Sequence, residues 1–124
     1  MRIKSIELLL EEANKEIKRL SFNESIYFIE NHKTFIIDVR EESEVNNSGL
    51  IKNAIHIPRG LIEFKSTDIS SLIDDGTYIL VYCAGGYRSA LAAKTLKDFG
   101  FNNVFNIGGY DEWIQNGGEI QPTI

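Results

Sequence analysis

Apolar residues at the start of the chain recur at three- and four-residue steps: Ile3, Ile6, Leu10, Ala13, Ile17 and Leu20, with Lys and Glu between them. That period predicts an amphipathic helix with one apolar stripe over about residues 1–20. Ser21 and Glu24 stand three apart, the spacing of a capping box, and open a second helix over about 22–31. The period then changes. Thr34 to Val39 is an unbroken run of β-formers up to Asp38, as expected of a strand covered on both faces. Glu41 to Gly49 is polar and reads as a turn with a short helix. Ala54 to Ile57 is a short strand stopped by Pro58, and Arg59–Lys65 and Ile69–Ile73 can each make a helical turn or two. Asp74-Asp75-Gly76 is a turn signal that leads into a strand over Thr77–Tyr82. Ser89 to Phe99 is the clearest helix, with Gly100 placed to end it. Val104–Ile107 is a last strand and Tyr110–Asn116 a last helix.

Strands alternating with helices predict an α/β domain. We expect a central, mainly parallel sheet of about five short strands, flanked by helices on both faces. The helix of residues 1–20 is expected to pack on or extend a domain formed by 21–124. Sheets of this kind place ligands beyond the carboxyl ends of their strands. That rule directs attention to the residues after Asp38, Ile57, Tyr82 and Ile107.

Composition narrows the chemistry. The 124 residues suit a single core. The chain has one cysteine, which excludes an internal disulfide, a paired-cysteine redox motif and a multi-cysteine zinc site. Its formal net charge of −5 does not favour nucleic acid or an anionic membrane as partner. No apolar run approaches the roughly 18 residues of a membrane span, and Met1–Leu20 lacks the apolar core of a secretory signal. A cytoplasmic location is the expectation. Two histidines, His32 and His56, are too few for a convincing metal site.

The single cysteine, Cys83, therefore becomes the question. A lone cysteine is by default a small buried hydrophobe. Its neighbours change that reading. Cys83-Ala84-Gly85-Gly86-Tyr87-Arg88-Ser89 joins a buried strand to a helix. Cys83 is presented at the carboxyl edge of the sheet. Gly85 and Gly86 can offer unobstructed backbone amides, the first turn of the helix adds unpaired N–H groups, and Arg88 adds a permanent cation. Such settings lower a thiol pKa from about 8.5 to about 3.5–7.5. The pattern describes a nucleophilic cysteine in a cradle for an anion. Four residues separate Cys83 from Arg88. The protein tyrosine phosphatase signature has one more, so this loop encloses a smaller pocket, better suited to one sulfur atom than to a tetrahedral oxyanion.

These segments together resemble a single-domain rhodanese, a sulfurtransferase, from about Leu20 to Gly118. The resemblance rests on Phe35-Ile-Ile-Asp-Val-Arg-Glu41, Gly49-Leu-Ile-Lys-Asn-Ala-Ile-His-Ile-Pro58, Tyr82-Cys-Ala-Gly-Gly-Tyr-Arg-Ser-Ala90, and Val104–Trp113 with Gly108-Gly109. The family's six-residue active loop falls on Cys83 through Arg88. Leu50 and Lys52-Asn53 depart from the family's usual His and Pro-Gly, in a loop that is usually structural. The resemblance implies transfer of sulfane sulfur from thiosulfate or a persulfide donor, through a persulfide on Cys83, to cyanide or a thiol. Cys83 and Arg88 are then catalytic. Ala84, Gly85, Gly86, Tyr87 and Ser89 bind the transferred sulfur, with Tyr87 at the mouth. Arg59 is expected to attract an anionic donor, and Asp38 and Arg40 to support the loop. His56 reads as a satisfied, partly buried strand residue, and Glu63 as a residue of an amphipathic turn. No metal or organic cofactor is implied. Partners are small sulfur anions and thiol or protein acceptors, with the chain a monomer or homodimer. A persulfide carrier docking on a partner protein remains the second reading. A phosphatase or arsenate reductase is disfavoured by the short loop and by Tyr82, where a phosphatase has His.

Overall fold

The computed structural model describes residues 1–123. The chain runs α1 (Ile6–Glu16), α2 (Phe22–Asn31), β1 (Thr34–Asp38), α3 (Glu42–Ser48), β2 (Leu50–Ile51), β3 (Ile55–His56), a 3-10 turn (Arg59–Leu61), α4 (Ile62–Leu72), β4 (Tyr78–Cys83), α5 (Tyr87–Asp98), β5 (Val104–Gly109), α6 (Tyr110–Gln115) and β6 (Ile120–Gln121). Strands β3-β1-β4-β5 form a parallel sheet in that order. One core packs α1, α4 and α5 on Ile37, Val39, Ile79, Val81 and Cys83, and the other sheet face packs α2, α3 and α6 on Ile36, Leu80 and Tyr82. Alternate residues of β1 and β4 thus enter opposite cores, which is why neither strand alternates apolar with polar. The architecture is the expected α/β sandwich.

Its details depart from the sequence pattern in four places. The sheet proper has four strands among the described residues. A fifth is rudimentary: Lys18–Leu20 runs along β5, with Leu20 N–H donating to Asn106 C=O at 2.9 Å and Asn106 N–H to Lys18 C=O at 3.1 Å. The apolar stripe of residues 3–20 does not form one helix. Ile17 packs in the core under α5 and Leu20 in the core across the sheet, so the chain crosses the sheet edge between them and α1 ends at Glu16. Ile3 and Ile6 are left exposed. The two helical turns expected around 59–73 join into one 3-10 turn and a continuous α4, since no breaker lies between them. Finally, β2 and β6 pair antiparallel as a small clip, Leu50 with Gln121 and Ile51 with Ile120. Two-residue strands so far apart in the chain carry no local signal.

The capping box of α2 forms as expected: Glu24 N–H donates to Ser21 Oγ at 3.1 Å, and Ser21 N–H to Glu24 Oε1 at 2.9 Å. At the carboxyl ends of the strands, Asp38 and Arg40 form a buried pair. Arg40 Nη2 and Nε lie 2.8 and 3.0 Å from Asp38 Oδ2. The guanidinium also donates to Ser48 Oγ and Gly49 C=O and stacks on Tyr110, 4.1 Å from its ring centre. The pair therefore ties β1 to the end of α3 and to α6. His56 Nε2 is 2.7 Å from Arg40 C=O, which assigns it the proton and a structural bond. No helix among the described residues is long and apolar enough to cross a membrane.

Candidate active site

β4 pairs with β1 on one side and β5 on the other, so its backbone is fully engaged up to Cys83, its last residue. There the chain turns sharply. The loop is only Ala84, Gly85 and Gly86, because α5 begins at Tyr87 rather than at Ser89 as the sequence pattern suggests. Gly86 makes this possible. Its φ of +98° is strained for any residue with a Cβ, and it turns the chain straight into the helix. Arg88 and Ser89 thus stand in the first turn of α5, where backbone N–H groups are unpaired.

The turn wraps the thiol. Gly86 N–H donates to Cys83 Sγ at 3.0 Å, and Ser89 Oγ is 3.4 Å from the sulfur. Cys83 is only 1% exposed. Burial pushes its thiol pKa up, but hydrogen bonds from the Ser89 hydroxyl and from the backbone of Ser89, Gly86 and Gly85 outweigh it and leave the thiol below its ordinary value. The second glycine that matters is Gly109, paired with Cys83 across the sheet. A Cβ there would collide with Ala84 C=O and press on Gly85 Cα at 3.1 Å. Its bare backbone lets the loop lie flat against β5.

Arg88, whose cation the sequence reading adds to the cradle, makes no hydrogen bond to the sulfur. Its guanidinium forks outward onto Glu44 of α3, Nη1 to Oε1 at 2.6 Å and Nη2 to Oε2 at 3.0 Å. Its charge still acts on Cys83, but its hydrogen bonds are spent bracing the loop against α3. Glu44, absent from the sequence-based site, therefore ties the first turn of α5 to α3. Its carboxyl also accepts from Glu41 N–H at 3.0 Å, so it caps α3 as well. The sequence signal was faint: an acid three residues after Glu41, among other acids.

Glu44 carries a testable pH signature. The hydrogen bonds from Arg88 hold its carboxyl at about 2, against an ordinary value of 4.5. A carboxyl depressed on folding stabilises above its ordinary value and loses that contribution as pH falls through the lower one. Both partners are about one-third exposed, which limits the pair to about 1 kcal/mol, or roughly 4 °C in thermal midpoint. We expect wild type to melt above Glu44→Gln at pH 6, and the gap to close between pH 4.5 and about 2. A gap unchanged across that range would remove the ion pair as its cause.

The other expected site residues fall into place unevenly. Ala84, Gly85 and Tyr87 line the exposed rim of the loop, with Tyr87 69% exposed at the start of α5. The Arg59 guanidinium is held by Glu63, at 3.1 Å, and by Thr95 Oγ1, at 3.1 Å, along the side of α5. Asn106, which the sequence reading passed over, is buried beneath the loop and bonded to Ser89 and Gly86. One polar residue within the apolar strand Val-Phe-Asn-Ile was its only signal. The 240 Å3 cavity lined by Asp74, Thr77, Phe99 and Asn103 lies at the other end of the sheet, where β4 and β5 begin. No group of three or more His, Cys, Asp or Glu among the described residues is arranged to hold a metal.

Comparison with known proteins agrees with this geometry. The rhodanese-like domain family matches residues 21–116. Bacillus subtilis YtwF, which carries a provisional sulfurtransferase name, is 36% identical over 87% of this chain and 95% of its own length. A Rhodopseudomonas palustris protein of unknown function, suggested to be a tyrosine phosphatase, superposes with a TM-score of 0.84. It is 33% identical, covering 98% of this chain and 97% of its own. Two other relatives are longer proteins: the chain spans 36% of an Ehrlichia ruminantium tRNA uridine(34) hydroxylase, at 34% identity, and 40% of a Bacillus subtilis protein provisionally named a sulfur carrier, at 37% identity.

Proposed function

The chain belongs to the rhodanese-like domain family, and on that premise we propose that it moves sulfane sulfur through a persulfide on Cys83. The observation that carries this reading is the cup itself: a buried sulfur at a strand end, with Gly86 N–H at 3.0 Å and Ser89 Oγ at 3.4 Å.

The steps balance without an outside oxidant. The Cys83 thiolate attacks the outer sulfur of thiosulfate. An S–S bond forms to Cys83 as the donor's S–S bond breaks, and sulfite leaves with the electron pair. An acceptor, cyanide or a thiolate, then attacks the outer sulfur of the persulfide and releases Cys83 as thiolate. Converging loop amides stabilise negative charge on the thiolate and on the terminal persulfide sulfur, as an oxyanion hole does for oxygen. The short loop favours one sulfur over phosphate. Glu44 works the same way, because it occupies the guanidinium that would otherwise fork onto phosphate oxygens. With one cysteine in the chain, no second thiol resolves the persulfide, so the sulfur goes to another molecule. The relative named as a sulfur carrier supports the second reading, delivery to a docked protein partner, which uses the same intermediate.

Intact mass after incubation with thiosulfate tests the proposal. One sulfur, about 32 Da, should be gained and then lost on adding cyanide. No adduct with thiosulfate or with an organic persulfide would overturn it. Hydrolysis of p-nitrophenyl phosphate faster than thiosulfate turnover would favour a phosphatase instead.

A further inference from the structure

β5 contains an irregularity directly under the active loop. Val81 pairs with Asn106 but Tyr82 pairs with Gly108, so one residue of β5 is bulged. The residue left unpaired is Ile107, which stays in the same core as Phe105. Asn106, 2% exposed, keeps by alternation the sheet face of Val104, the face that also carries Cys83. Every polar atom of it is engaged. Nδ2 donates to Gly86 C=O at 2.9 Å, and Oδ1 accepts from Ser89 Oγ at 2.8 Å and from Gly108 N–H at 2.9 Å. Gly86 and Ser89 both place polar groups on Cys83 Sγ.

We propose that Asn106 is a positioning residue for Cys83, holding the Gly86 turn and the Ser89 hydroxyl so that both face the sulfur. It does not touch the sulfur and acts only through these two groups. The arrangement accommodates both forms of the thiol. With the thiol protonated, Cys83 donates to Ser89 Oγ, and Ser89 gives its own hydrogen to Asn106. When Cys83 ionises, the Ser89 hydrogen turns to the sulfur. Asn106 Oδ1 keeps the Gly108 N–H, so no buried atom is orphaned by the turn. A Leu or Ala at 106 would leave Gly86 C=O with only the Ala90 N–H, at 3.3 Å, and Ser89 Oγ without its acceptor below the loop.

The charged groups around the cup do not account for this role. Arg88 on α5 is tied to Glu44 on α3, and Arg19, packed against Gly86, is tied to Glu112 on α6 at 3.0 Å. From β1, Asp38 and Arg40 pair with each other, and Tyr82 faces the opposite core from Cys83. None of these groups is hydrogen-bonded to Asn106.

The inference rests on Cys83 as the nucleophile, and its test does not depend on any sulfur donor. The alkylation rate of Cys83 by iodoacetamide is measured against pH for wild type, Asn106→Ala, Ser89→Ala and the double variant, with circular dichroism and thermal midpoints alongside. Asn106→Ala should raise the thiolate midpoint by about one pH unit or more. The double variant should shift by less than the sum of the singles, because Asn106 acts partly through Ser89. Asn106→Leu is close in size, removes donor and acceptor without adding a charge, and serves should Asn106→Ala not fold. A folded variant at position 106 with a midpoint unchanged or lowered overturns the proposal. A raised midpoint in a protein whose wild type takes no sulfur from either thiosulfate or an organic persulfide would leave Asn106 in place and overturn the transfer reading alone.

Discussion

Cys83→Ser should gain no sulfur from thiosulfate and turn over at the rate of buffer alone. The reaction needs a group that is both anionic near neutral pH and a good nucleophile toward sulfur, and a serine hydroxyl is neither. No other thiol in the chain can substitute. The fold should survive. Cys83 sits among polar partners at its sulfur, and a serine oxygen there can still accept from Gly86 N–H and bond to Ser89. Intact mass reports the adduct, thiocyanate formation the turnover, and a thermal melt the fold. A Cys83→Ser protein that melts like wild type and still takes up sulfur would remove Cys83 from the mechanism.

Asp38→Ala should be the most damaging of these changes to stability, at about 3–5 kcal/mol. Asp38 is fully buried and Arg40 only 4% exposed, so removing the carboxylate leaves a guanidinium without a counter-charge in the core. Arg40 cannot escape by losing its proton. Its remaining bonds, to Ser48 and Gly49, and its stacking on Tyr110 hold it where it is. Those contacts link β1 to α3, and α3 carries Glu44, so the loss should loosen the brace on Arg88 as well. Since stability totals only about 5–15 kcal/mol for a domain, the variant should be partly unfolded at ambient temperature or close to it. Urea unfolding measures the loss. Asp38→Ala together with Arg40→Met should recover part of it, because the double change removes the stranded charge. A single variant within 1 kcal/mol of wild type, roughly the worth of an exposed pair, would show that Arg40 finds water or another partner.

Much of the site was legible because it is local in sequence. Cys83, its two glycines, Arg88 and Ser89 lie within seven consecutive residues, and the strand and helix on either side announce themselves by period. What the local pattern could not supply was the direction of long side chains. Arg88 in the first turn of a helix can point into the cup or away from it, and the position of Glu44 on α3 decides. Arg59 likewise goes to Glu63 and Thr95. Asn106 illustrates a different limit. Its strand was visible, but its role depends on contacts beneath a turn twenty residues earlier in the chain, at Gly86.

The sequence by itself determined the α/β class, the parallel sheet, the place of the lone cysteine at a strand end and the family. Each follows from short-range facts: the period of apolar residues, the β-formers, the turn residues and a contiguous motif. Only the tertiary structure decided where the first helix ends, how β2 and β6 pair, and which side chains brace the loop. Those outcomes are set by burial and charge pairing between segments far apart in the chain. Ile17 and Leu20 separate because they belong to opposite cores, and Arg88 turns to Glu44 because a carboxylate waits there. Contacts of that kind exist only once the sheet has brought the segments together.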